Sequence, residues 1–274
     1  MSTASVLKRL KSTLKASPRM PVVFIGHGSP MNVIEQNRYK QSWSQLGDVL
    51  PRPQAILVIS AHWMTQGHTY VDVSPMPRTI HDFYGFPQAL YSEQYPARGE
   101  PKLAKEVATL LTDYRVKGDD SWGLDHGSWA VLKSLFPLAD IPVFQLSVDV
   151  TKDMKWHLDI GKTLSELRNR GVLILGSGNV VHNLYALGAT DKPYDWATEF
   201  DTMVANKLAE RDFLSLCDSS AMGHLMSMAN PTLEHYSPAL TIAGASDAQD
   251  QLFTLVDGID LGSISMRSFV FHGA

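Results

Sequence analysis

Cysteine is nearly missing from this sequence: Cys217 is the only one in 274 residues. A lone thiol excludes an internal disulfide and any zinc site built from several cysteines, and it suits a reducing compartment, so a cytoplasmic protein is expected. An excess of positive charge is missing as well. With 24 Lys and Arg against 28 Asp and Glu the formal net charge is -4, so no broad basic field exists to hold nucleic acid or an anionic membrane surface, and a small molecule is the better partner. No apolar run approaches the roughly 20 residues that span a bilayer, and no secretory core segment occurs.

Familiar catalytic signatures are absent too. There is no G-x-S-x-G elbow for a serine hydrolase, no P-loop and no H-E-x-x-H helix, and the GSGN at Gly176–Asn179 does not complete a dinucleotide fingerprint. Cys217 has no activating neighbour in the sequence and reads as a small buried hydrophobe. The N-terminal stretch carries Lys8, Arg9, Lys11, Lys15 and Arg19 with no acid. It reads as a solvated extension over residues 1–19, with an organellar transit peptide as the alternative.

What the chain does contain is an alternation of short apolar, β-branched runs with longer amphipathic segments. Val22–Gly26, Ala55–Ser60, Pro142–Val148, Val172–Leu175 and Ile264–Phe271 read as strands. Pro101–Tyr114, Lys152–Arg170 and Ala197–Leu216 carry helical spacing. This order predicts an α/β fold, its mostly parallel or mixed sheet sandwiched by helices, because strands as uniformly apolar as AILVIS must be covered on both faces. With no linker or repeat, one domain over residues 20–274 is expected. The long segment Ser74–Gly99, rich in proline, glycine and aromatics, has the character of a functional loop.

The ten histidines carry most of the chemical information. His27 follows the first strand between Gly26 and Gly28, His62 follows the second, and His182 follows the LILGSGN run. Ligands of open α/β sheets sit beyond the carboxyl ends of strands, so these imidazoles can converge on one crevice. His126, in WGLDHGSW, is expected in a loop before a helix starting near Ser128. His235, after Glu234, is expected early in a helix opened by Pro231. Together His27, His62, His126, His182, Glu234 and His235 supply neutral nitrogens, a carboxylate and a spare titratable group, the requirements of a mononuclear metal site with an acid–base partner. Each taken alone is more ordinarily a hydrogen-bonded structural residue. His157, on an exposed-looking helix, and His272 read as structural, while His81 in the long loop is a candidate substrate contact. Trp63, Phe83, Tyr84, Trp122, Trp129 and Tyr236 could stack on an aromatic substrate or belong to the core.

The motifs GHGSPMN, PRPQAILVISAHW, TIHDFYGFPQALY, WGLDHGSW, GSGNVVHNL and NPTLEHYSPAL occur in this order from about Met20 to the C-terminus. In that order they resemble the 4,5-DOPA extradiol dioxygenases, class III ring-cleaving enzymes of the LigB type. The resemblance implies a single α/β domain with a mixed central sheet, one divalent metal (zinc as bound, or iron(II) for ring cleavage), O2 as co-substrate, and a catechol such as L-DOPA opened at the 4,5 bond to a muconic semialdehyde. It also implies that His27 and His62 hold the metal, with His182 and His235 associated with it and Glu234 as the alternative ligand. His182 and His126 are its candidates for acid–base work. Neighbouring helical side chains diverge by about 100°, so only one of Glu234 and His235 would reach the ion. A zinc-dependent hydrolase or a non-catalytic metal-binding protein on the same fold remain as alternatives, and the oligomeric state is open.

Overall fold

The computed structural model describes residues 19–188 and 192–273. The basic N-terminal extension lies, but for Arg19, outside the described residues. The strands are β1 (Val22–Gly26), β2 (Ala55–Thr65), β3 (Tyr70–Asp72), β4 (Lys117–Asp119), β5 (Val143–Asp149), β6 (Val172–Gly178), β7 (Gln251–Val256), β8 (Ile259–Asp260), β9 (Ile264–Ser265) and β10 (Ser268–His272). The α-helices are α1 (Arg38–Val49), α2 (Gln88–Tyr91), α3 (Pro101–Leu110), α4 (His126–Leu135), α5 (Met154–Leu164), α6 (Asp195–Glu210), α7 (Ser219–Ala229) and α8 (Ser237–Ala245).

Eight strands form one mixed sheet in the order β4-β3-β5-β2-β6-β1-β10-β7. Its centre, β5-β2-β6-β1, is parallel, and β10 and β7 add antiparallel neighbours at one edge. The expected single α/β domain with a mixed sheet is what the chain forms. Side-chain alternation divides the apolar residues of each strand between two cores. Leu57 and Ile59 join Phe24, Phe144 and Ile174 on the face covered by α3, α5, α6, α7 and α8. Ile56 and Val58 join Val23, Ile25 and Leu175 on the face covered by α1 and α4. Both faces being dry explains why these strands read as unbroken apolar runs rather than alternating ones.

Some expectations are corrected. The run Ile264–Phe271 is not one strand: it breaks at Met266–Arg267 between β9 and β10, where Arg267 turns to pair with buried Asp201. The helix expected over 197–216 ends at Glu210, where Arg211 takes a left-handed conformation. His157 is not exposed but only 3% accessible on α5, and burial lowers its pKa to about 4. Cys217 is half-buried rather than fully buried, with its thiol pushed up to about 11 by burial. The Ser74–Gly99 segment is irregular as expected, except for the single turn of α2.

The sheet also carries the feature that shapes the site. β2 continues five residues past Ser60, and its register with β5 slips between Ile59, opposite Leu146, and Met64, opposite Val148. Ser60–Trp63 therefore face a single β5 residue, Ser147, and the strand bulges there. Bulges re-aim side chains, and this one contains His62.

Candidate metal centre

His27 leaves the carboxyl end of β1. Its N–H donates to Gly178 O at 3.1 Å, and its own carbonyl accepts Asn32 Nδ2 at 3.0 Å, so the backbone carrying the ring is fixed on both sides. Gly28 sits at φ +56°, a turn conformation suited to glycine. The glycines do not, however, leave open space beside the ring: a Cβ on Gly26 would lie 2.7 Å from Arg267 O, and one on Gly28 would lie 2.4 Å from Met266 Sδ. They admit the crossing between β9 and β10 instead.

His235 is brought in by a second close approach. It lies in the turn before α8 rather than inside a helix, and Pro238, not Pro231, opens that helix. Asn179 N–H donates to His235 O at 2.9 Å, and a Cβ on Gly178 would stand 2.2 Å from the same oxygen. His126 is the first residue of α4, ahead of the expected start, because buried Asp125 caps the helix by accepting Ser128 N–H at 3.1 Å. Ser60 Oγ donates to the same Asp125 oxygen at 2.6 Å, which ties α4 to the bulge of β2. His182 is held by its N–H to Ala229 O at 2.9 Å and by a bridge to Ile264.

These elements bring one ring nitrogen from each of His27, His62 and His235 within 4.8 Å of one another. His62 Nε2 and His27 Nε2 face each other at 3.1 Å. The partners on the far side of each ring select the tautomer. Ser177 Oγ spends its proton on Gly127 O at 2.6 Å, so at 2.9 Å from His27 Nδ1 it acts as acceptor. His62 Nδ1 faces Asp82 Oδ2 at 3.2 Å, and His235 Nδ1 faces Glu234 Oε1 at 3.1 Å. Hydrogen on Nδ1 of His27 and of His235 suits the acceptors at Ser177 and Glu234 and would leave their Nε2 atoms for an ion, while His62 Nδ1 has Asp82 at ion-pair distance.

Burial is the largest cause that lowers the pKa of His27, His62 and His235, and the neighbouring imidazoles lower His27 and His62 further, so the rings are neutral at pH 7. Burial likewise pulls His182 down to about 3. Burial alone would raise Glu234, but its bonds to His235 outweigh it and hold the carboxyl at about 2. Asp82 likewise falls below the usual carboxylate range, burial being outweighed by its contacts with His126.

This donor set fits a metal ion. Two nitrogens bound at about 2.0–2.1 Å, at the angles of octahedral to tetrahedral geometry, stand about 2.8–3.4 Å apart. The His27–His62 spacing of 3.1 Å falls in that range. Ligating histidines characteristically give their other N–H to a carboxylate or similar acceptor, as the contacts of His27 with Ser177 and of His235 with Glu234 allow, and His62 has the Asp82 carboxylate 3.2 Å from Nδ1.

Residues 21–256 match the family described as the catalytic LigB subunit of aromatic ring-opening dioxygenase. The chain belongs to that family. This LigB-family chain is an extradiol ring-opening dioxygenase, a reaction class that takes a single metal ion, O2 and a small catechol-type molecule. It is 46% identical over 268 residues to the 4,5-DOPA dioxygenase extradiol of Escherichia coli K12, covering 94% of this chain and 97% of that protein. It is 35% identical to the protein of the same name from Beta vulgaris, covering 90% of this chain and 95% of that one. A crystal structure of an uncharacterized protein from Escherichia coli K12 superposes with a TM-score of 0.80 at 41% identity, covering 93% of this chain and all of that one. No helix among the described residues is long and apolar enough to cross a membrane.

The remaining sequence candidates divide. His126 and His182 flank the three-histidine group, His126 with its ring 3.8 Å from that of His62 and His182 with its ring 3.5 Å from that of His235. Glu234 contacts His235 Nδ1 at 3.1 Å and forms, with His182 and His235, a second group whose donor atoms lie within 4.8 Å of one another. His81 is occupied with Glu93 O at 2.9 Å. Tyr236 and Trp129 are fully buried in the two cores. Trp63 and Trp122 stack at 6.0 Å, Phe83 meets His126 edge-on at 5.7 Å, and Tyr84 projects into solvent at 92% exposure. Asp82 is the participant that sequence reasoning passed over, although the IHDFYGFP motif displays it beside a histidine.

Proposed function

We propose that the protein opens the ring of a catechol amino acid of the L-DOPA type at the 4,5 bond, placing both atoms of O2 in a muconic semialdehyde product. The observation that carries this reading is the gathering of one ring nitrogen from each of His27, His62 and His235 within 4.8 Å, in a chain so close to a dioxygenase named for DOPA. His27, His62 and His235 would hold the ion, with Glu234 as the support of His235. Iron(II) held there would supply the one-electron chemistry that ring opening by O2 needs, whereas d¹⁰ zinc has no redox state to offer.

The chain's own residues do the proton work. His182, stacked on His235 at the edge of the group, is the ring placed to take a catechol proton and return it as the ring opens. His126 turns Nδ1 toward Asp82 Oδ2 at 3.0 Å, which leaves Nε2 as its exchangeable nitrogen. Phe83, edge-on to His126, gives the crevice an apolar wall suited to an aromatic ring. We assign residues 20–274 to the catalytic domain, since β1 opens at Val22 and β10 closes at His272. A reducing, cytoplasmic setting is our reading of the single half-buried cysteine.

Anaerobic loading with iron(II), then oxygen uptake with a panel of catechols, tests the proposal. Uptake with L-DOPA and growth of a semialdehyde chromophore are expected. Protein shown to hold iron that consumes no oxygen with any catechol would overturn it.

A further inference from the structure

We propose that Asp82 is a positioning residue that sets two histidines at once, the metal-holding His62 and the flanking His126, so that the 74–99 loop helps to build the centre rather than merely covering it. The proposal rests on the metal-centre reading above.

One oxygen of the carboxylate, Oδ2, stands 3.2 Å from His62 Nδ1 and 3.0 Å from His126 Nδ1. The other, Oδ1, accepts the His126 backbone N–H at 2.8 Å, at the first residue of α4. A carboxylate is acceptor-only, with room for several donors on its two oxygens; this one accepts the His126 peptide N–H and brings its other oxygen within ion-pair distance of both Nδ1 atoms, of which His126 Nδ1 has no other partner of hydrogen-bond geometry. The two rings lie 3.8 Å apart at 49°, an arrangement that a single shared acceptor explains.

His62 depends on this contact more than the other two histidines depend on theirs. His27 leans on Ser177 at the end of β6, a strand of the central sheet, and His235 leans on the residue next to it in sequence. His62 occupies a bulge, where strand pairing does not fix the side chain, and its support comes from a loop outside the sheet. That loop is seated firmly at this point. Ile80 N–H donates to Leu124 O at 2.7 Å, Ile80 O accepts Trp129 Nε1 at 2.8 Å, and Phe83 packs on His126. Residues on either side of Asp82 are thus bound to α4 and the segment before it, and its side chain is only 17% exposed.

The experiment is cobalt(II) titration of the metal-free protein with zinc competition, comparing wild type, Asp82→Asn and Asp82→Glu, alongside thermal melts of the metal-free forms and kcat and KM after iron loading. Losing an orienting partner of this kind weakens metal binding about 10–100-fold. Asp82→Asn is expected to show that loss, an altered cobalt absorption band and a lowered kcat at saturating iron, while its metal-free melt stays near wild type. Asp82→Glu should recover part of the affinity. Metal affinity within twofold of wild type, or weakened binding with kcat at saturating iron unchanged, would overturn the role of Asp82. If Asp82→Asn does not fold, the same criteria apply to Asp82→Glu. Wild-type protein that takes up no cobalt would instead sink the metal-centre reading itself.

Discussion

His182 lies flat on His235, with ring centroids 3.5 Å apart and planes inclined by 7°. An imidazole lone pair points along its own ring plane, so two parallel rings stacked at this distance do not aim at one ion. This stacking supports the proposal that His235 holds the ion and His182 does proton work beside it, although His182 also shares a group of close donor atoms with Glu234 and His235. His182→Ala is expected to keep stoichiometric metal and lose about 10²–10⁴-fold in kcat, the usual range for removing an acid–base group. His235→Ala is expected to empty the site. Metal analysis of the two purified variants, beside an oxygen-electrode assay, separates the roles; loss of metal in His182→Ala would make it a ligand after all.

Gly178 has no room for a side chain. Its Cβ would sit 2.2 Å from His235 O, a backbone atom that cannot swing away. Gly178→Ala should push the His235 turn outward, costing about 1–3 kcal/mol of stability as overpacking does, and lowering metal occupancy at the same time. Urea unfolding and metal content should therefore fall together in this variant. Full metal retention would show that the turn can move without the ring.

Acid should destabilise the protein partly through His157, which has no part in the histidine group of the metal centre. Its folded-state pKa of about 4 lies below the ordinary 6.5, so between these values the unfolded chain binds the extra proton. Stability is then full above about pH 6.5, falls as pH drops through this window and levels off below about 4, a loss on the order of 3 kcal/mol for this residue. Urea midpoints of metal-free protein at several pH values should follow that slope. His157→Gln should flatten it; an unchanged slope would show that other groups account for the acid loss.

Arg168 is fully buried and grips Asp250 through both nitrogens of its fork, at 2.6 and 2.8 Å, while its Nε donates to Met20 O at 2.7 Å. Removing one partner of a buried pair strands the other charge, so Arg168→Ala is expected to cost about 3–5 kcal/mol. Denaturant unfolding measures it directly, and a cost below 1 kcal/mol would mean that water reaches Asp250 in the variant.

Strand content was legible because both faces of the central sheet are dry, which leaves runs such as AILVIS with no polar interruption. The edges were less legible. β3 and β4 are three residues long, and β7 has no buried residue, with exposed and half-buried positions in no regular alternation, so neither apolar continuity nor clean alternation marks them. The extension of β2 through SAHWMT was hidden for a related reason: a bulge disturbs the period-two pattern that identifies a strand.

The sequence by itself determined that this chain is α/β, that its histidines gather at strand ends, and that its motifs follow the order of the ring-opening dioxygenases. These follow from local apolar periodicity and from residue identity. Only the tertiary structure decided which ring nitrogens meet which partners, because that depends on side-chain rotation and on groups such as Ser177 beside His27 and Asp82 beside His62 that are brought in from elsewhere in the chain. The same is true of the stacked His182, whose orientation relative to His235 is set by the packing of α7 and β9 around the turn. Lone-pair direction is a property of side-chain rotation, and a linear sequence carries no record of it.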